Sequence, residues 1–149
     1  YYVPTLHITS TPVYQNPSFG KWTRERMEAA HPVHREGVRK AHAMGIKMAV
    51  GTDGGPGDAA HELMELVDCG LSPMEAIVAG TRNSAESLGI LDSTGSLEPG
   101  KDADVILVSG DPLADISVLY RRDNINLVLR AGKLAAFDEH YKAHYRLRG

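Results

Sequence analysis

Asp53 is the residue whose type and position most directly invite chemistry. It follows the apolar run Ile46–Val50 after Gly51 and Thr52, inside the glycine-rich string "GTDGGPGD", and His61 heads the helix beyond. A carboxylate at the lip of a buried strand is costly unless local hydrogen bonds or something positive compensate it. In parallel α/β folds functional groups gather where strands end at their C-terminal edge, which is where this spacing puts Asp53. Gly51, Gly54 and Gly55 allow the sharp backbone course and close approach such a site needs. The plainer reading is a turn aspartate that caps backbone amides. Spacing leaves both open.

The neighbouring signals are weaker. The loop lacks the Gly-Lys-Ser/Thr ending of a P-loop and the GxGxxG spacing of a dinucleotide fold, so it is not expected to cradle phosphate. His61 and Glu65 lie four apart on one helix face, which permits a two-ligand metal site, although the second histidine of a zincin helix is missing. The alternative is a helix-entry histidine with solvated glutamates. Because His61 leaves the loop that carries Asp53, it is the candidate for substrate contact, with Gly54 and Gly55 shaping the mouth of the pocket. His7 follows the first strand-like run and so also stands at a strand end. His31, His34 and His42 read as surface or packing residues, and His140 and His144 as a solvated face of a basic tail. No Ser-His-Asp arrangement can be assembled.

These residues need a scaffold. "YYVPTLHI" reads as a short strand, with Pro4 weakening its ladder, and "TSTPVYQNPSFG" as a loop. Helical composition runs from Lys21 to Met44, with Trp22, Met27, Val33, Val38, Ala41 and Met44 as apolar positions. Pro32 is expected to split it into two helices and Gly45 to stop it. "IKMAV" is a nearly continuous apolar run, as in a parallel strand covered on both faces. A helix from Ala59 to Cys69 should end at Gly70. Ser72, Pro73 and Glu75 match an N-cap, a first-turn proline and a capping-box glutamate. A further helix is expected after Asn83 or Ser84, ending at Gly89. Beyond Leu91 a strand at Ala103–Val108, a short helix or turn in "PLADISVLY", and a hairpin turning at Ala131–Gly132 complete the order. The first half suits a parallel α/β architecture and the second a small β attachment.

Composition narrows the classes. The 149 residues are 42% apolar and 23% charged with net charge −3, globular values without the basic patch that nucleic acid requires. The single cysteine, Cys69, lies in a helical apolar pattern, excludes an internal disulfide framework and fits a reducing, cytoplasmic location. No apolar run approaches the roughly 20 residues of a membrane span. The chain opens on Tyr-Tyr-Val-Pro, without methionine and inside a strand-like run, so its natural N-terminus is expected to lie upstream.

The order "GIKMAVGTDGGPG", then "HELMELVDCGLSPMEAIVAGTRNSAESLGILDSTGSLEPGKDADVILVSGDPLADI", then "VLRAGKL" resembles the C-terminal part of the amidohydrolase superfamily. The branch it most resembles is the imidazolonepropionase-like and prolidase-like one, with its metal-dependent dipeptidases and carboxypeptidases. The resemblance covers nearly the whole chain. It implies an α/β fold: the C-terminal portion of a (β/α)8 TIM-type barrel over residues 1–90, part of a small β-sandwich over 91–137, and a polar tail over 138–149. It implies a metal-dependent hydrolase of an amide, peptide or cyclic C–N bond that uses zinc or another divalent metal, one or two ions. Asp53 matches the aspartate after the eighth strand, both metal ligand and general base. The partner is a dipeptide or other small-molecule substrate; no nucleic acid or membrane is implied, and a homo-oligomer is left open.

The family's His-x-His, bridging lysine and two further histidines have no counterpart in this chain. The chain alone is therefore expected to lack hydrolase activity. Competing readings are an imidazolonepropionase or deaminase within the superfamily, and a barrel relative that only binds or assembles.

Overall fold

A computed structural model describes residues 1–54 and 58–137. The two apolar runs expected to be strands meet only at a single parallel bridge between Tyr2 and Met48. Tyr2 N–H donates to Lys47 O, and Ala49 N–H donates to Tyr2 O, both at 2.9 Å. The pairing is parallel, as expected, but neither run extends it. Pro4 has no N–H to offer, and Thr5 turns the chain away at φ +52° into a 3₁₀ turn, Leu6–Thr9. The stretch read as a loop then forms one short helix, α1 (Thr11–Tyr14), with Pro12 in its first turn.

Pro32 does not divide the helical stretch. Helix α2 runs unbroken from Lys21 to Ala43. Proline removes one backbone donor and crowds the preceding turn, yet the flanking turns keep the helix continuous. Of the six apolar positions expected, only Val38 and Ala41 are buried, whereas Trp22, Val33 and Met44 are largely exposed. The arrest at Gly45 is as expected. Gly45 sits at φ +72°, and Ile46 N–H closes back onto Ala41 O at 3.0 Å.

Helix α3 (Ala59–Asp68) ends in the same way at Gly70, and α4 (Pro73–Val78) begins with the expected capping box on Ser72 and Glu75. No new cap follows. The chain instead runs through a π turn, Ala79–Asn83, straight into α5 (Ser84–Ser87). The residues expected to cap serve the bridged segment. Asn83 Nδ2 donates to Met48 O at 2.9 Å, and Ser84 Oγ accepts Val50 N–H at 3.1 Å while donating to Ala79 O. Side chains thus replace a missing strand neighbour along Met48–Val50.

Leu6, Val38, Ala41, Met48, Leu66, Cys69, Leu71, Ala76 and Ala79 form the core of this half. Cys69 is free and buried, and burial pushes its thiol pKa up. The second half holds β1 (Val105–Val108), β2 (Ile125–Arg130) and β3 (Lys133–Phe137) in an antiparallel sheet ordered β1-β2-β3. The β2–β3 hairpin turns at Ala131 and Gly132, both at positive φ. Between β1 and β2, the 3₁₀ turn Ile116–Leu119 buries Ile116 and Val118, and the ring of the following Tyr120 reaches His61 on α3.

Candidate active site

The bridged segments deliver Asp53 and His7 to one edge. Asp53 is exposed and sits at φ +49°, a left-handed conformation that aspartate tolerates better than most residues. The desolvation cost argued from sequence therefore does not arise in this chain, because the carboxylate faces solvent. Gly54 N–H donates to Thr52 Oγ1 at 3.2 Å, closing a small turn around Asp53. A Cβ added at Gly54 would lie 2.5 Å from Asp58 Oδ2 and 3.5 Å from His7 Cδ2. Glycine is thus the residue that lets this loop close on its neighbours. Gly55 lies outside the described residues, as do His140 and His144.

His7, Asp58 and His61 meet behind that loop. His7 Nε2 lies 3.5 Å from Asp58 Oδ2, and the His7 and His61 rings stand 4.4 Å apart. The Tyr120 ring also approaches His61, at 5.6 Å between ring centroids. Burial holds the His7 pKa below its ordinary value; the nearby His61 lowers it further, against the pull of Asp58. Burial thus favours the neutral ring of His7, and Ser10 Oγ, 3.4 Å from Nδ1, is within reach of it.

Beneath this rim the two glutamates of "HELMEL" are buried, contrary to the solvated reading. Glu62 is fully buried, and its carboxylate accepts Leu6 N–H at 2.9 Å and His7 N–H at 2.7 Å. Burial pushes its pKa up to about 7, against the two amide hydrogen bonds that favour the charged form. Glu65 takes Arg35 Nη1 at 2.8 Å and has His31 Nε2 at 3.8 Å. The two-ligand pairing of His61 with Glu65 that the spacing permits is not made: His61 faces His7 and Tyr120, while Glu65 faces α2. His31 and His34 both approach Thr9 Oγ1, as packing histidines. Asp58, Glu62 and Tyr120 were missed from the sequence. For Glu62 a signal existed, since Glu62, Leu66 and Cys69 fall on one helical stripe, so a core-facing stripe includes the glutamate.

Among the described residues, no three His, Cys, Asp or Glu side chains converge as a metal site requires. The donors among the described residues do not by themselves fit a metal centre; Asp53 offers a single carboxylate. No helix among the described residues is long and apolar enough to cross a membrane.

The model of the amidohydrolase family matches residues 23–135. Ochratoxinase of Aspergillus niger is 37% identical over 112 residues, covering 73% of this chain and 23% of that protein. Imidazolonepropionase of Geobacillus kaustophilus is 32% identical over 107 residues, covering 68% of this chain and 25% of that protein. Among solved structures, a Xaa-Pro dipeptidase with bound methionine in its active site has 35% identity and a TM-score of 0.77, covering 90% of this chain and 34% of that one. The chain spans about a quarter of the length of the curated relatives it matches. With three quarters of its residues inside the matched region, the chain belongs to the amidohydrolase family.

Proposed function

We propose that this chain forms the C-terminal part of a hydrolase that cleaves a C–N bond, with Asp53 as its general base. Residues 1–90 would complete a (β/α)8 barrel and residues 91–137 part of a β-sandwich. The observation that carries the reading is the place of Asp53. It leaves the bridged segment at φ +49°, exposed, on a turn that closes against Asp58 and His7. Strained backbone of this kind clusters at functional sites.

In this reading an Asp53 carboxylate oxygen accepts a proton from the attacking water and passes it to the leaving nitrogen as the C–N bond breaks. An exposed carboxylate at a strand end is free to make both transfers. His61 is half-buried, between His7 and Tyr120, and marks the side of the rim on which a substrate would lie. The family in general employs divalent metals, zinc or another; this chain would contribute Asp53 and the remaining ligands would come from elsewhere. A prolidase-like dipeptidase or carboxypeptidase is the favoured specificity. It is supported by the likeness to the Xaa-Pro dipeptidase, 35% identical with a TM-score of 0.77 over 90% of this chain.

The test is a screen of the intact protein against Xaa-Pro dipeptides, N-acyl amino acids and cyclic amides, with Asp53→Asn as the control. Turnover of a linear amide that the variant loses supports the reading. Turnover confined to cyclic amides moves the specificity to the imidazolonepropionase-like alternative. Absence of Asp53-dependent turnover on every class favours the binding relative.

A further inference from the structure

Thr5 is a β-branched residue at φ +52°, a conformation such side chains rarely adopt. It is followed at once by the 3₁₀ turn Leu6–Thr9. A left-handed residue leading into right-handed ones directs successive backbone N–H groups toward one point, a concavity suited to an anion. The N–H groups of Leu6 and His7 converge in this way, and what they meet is the Glu62 carboxylate, 2.9 and 2.7 Å away and fully buried. The two partners are more than fifty residues apart in sequence. His7 itself then lies against Asp58 and His61, on the rim that holds Asp53.

We propose that Glu62 is a positioning residue: its carboxylate occupies the backbone nest at Leu6 and His7, holds Thr5 in its left-handed conformation, and so fixes the His7 ring on the active-site rim. Helix α3 thereby carries both the Glu62 that fixes His7 and the His61 whose ring stands against it. Glu65, the other buried glutamate of α3, cannot substitute, because it is engaged by Arg35 and His31 on the α2 side. The significance of the rim rests on the hydrolase reading above, but the linkage from Glu62 to Thr5 and His7 does not.

The experiment is hydrogen exchange on the intact protein, together with the imidazole resonances of selectively labelled histidine, for wild type, Glu62→Gln, Thr5→Gly and the double variant. A glutamine accepts one amide but presents an NH2 to the other. Exchange at Leu6 and His7 should therefore quicken about tenfold in Glu62→Gln, with the rest of the helical half unchanged. The His7 ring resonance should move with it. Thr5→Gly relieves the left-handed strain, so in the double variant protection and the His7 resonance should return most of the way to wild type. Unchanged exchange and an unchanged His7 signal in Glu62→Gln would overturn the proposal. So would a uniform rise in exchange that Thr5→Gly does not restore, since a merely structural glutamate would not respond to a backbone change at Thr5. If Glu62→Gln does not fold, its recovery in the Thr5→Gly background supports the proposal and its failure there overturns it. None of these readouts uses turnover, so failure of the hydrolase reading would appear separately, as a loss in the substrate screen alone.

Discussion

Glu62 Oε2 accepts the backbone N–H of His7 at 2.7 Å, tying the middle of the chain to its first turn. That one contact explains why a carboxylate stands on the core-facing stripe of α3, and it has a consequence for pH. Burial raises the folded pKa of Glu62 from its ordinary 4.5 to about 7, with Glu65 adding to the rise. A raised carboxylate contributes stability that is full below about pH 4.5 and is lost as pH rises through 7. At roughly 1.4 kcal/mol per unit, about 3 kcal/mol is lost between those limits. His7 and His31 act in the opposite sense, because burial depresses their pKa values and their contribution fades as pH falls through the usual histidine range. Urea titrations of wild type and Glu62→Gln at pH 5 and pH 8 separate the two. The stability gap between the proteins should shift toward the variant at pH 8; a gap that does not change with pH would contradict the assignment.

Arg35 and Glu65 form the second buried contact of α3. Their side chains are only 19% and 10% exposed, and Arg35 also donates to Asp68 O at 3.0 Å. Arg35→Met should destabilise by about 3 kcal/mol, because it strands a buried carboxylate. Adding Glu65→Leu should recover most of that loss. Thermal or urea unfolding of the pair reads both steps, and an Arg35→Met protein as stable as wild type would show the pair to be idle.

Gly51 stands where the bridged segment leaves for the Asp53 loop. A Cβ there would lie 2.7 Å from Val3 Cγ1 and 3.4 Å from Thr5 Cγ2. Gly51→Ala should therefore cost about 1–3 kcal/mol by overpacking. Val3→Ala in the same protein should return much of it. A neutral Gly51→Ala would mean that the two segments are less closely joined than described.

Pro32 offers a prediction of the opposite sign. It sits inside the continuous α2, where it leaves one carbonyl without its helical donor. Pro32→Ala should raise the unfolding free energy by up to about 3 kcal/mol on helix propensity, less what proline saves in the unfolded chain, and the unfolding midpoint with it. A lowered midpoint would mean that the proline has a packing role that helix geometry does not require.

The punctuation of the fold was legible in the sequence, since Gly45, Gly70 and the Ser72–Glu75 box act locally and the hairpin turn at Ala131–Gly132 is set by its own backbone. What escaped is non-local. Pro32 lies inside a helix because the turns on either side keep it continuous, and Asn83 and Ser84 leave capping for the Met48–Val50 backbone, which no spacing rule connects to them. The burial of Glu62 was hidden by its charge, although its place on the Leu66–Cys69 stripe signalled it. Asp53 was singled out from its position after the apolar run, whereas Tyr120, which lies in the connection between β1 and β2, had no sequence signal at all.

The central claim is that Asp53 is the base of a C–N hydrolase. The direct measurement is kcat/KM of the intact protein and its Asp53→Asn variant on the best substrate from the screen, with circular dichroism and hydrogen exchange as folding controls. A fall of about 100-fold or more with the fold unchanged is expected, the scale of a lost acid–base group. Wild-type turnover in Asp53→Asn would contradict the account.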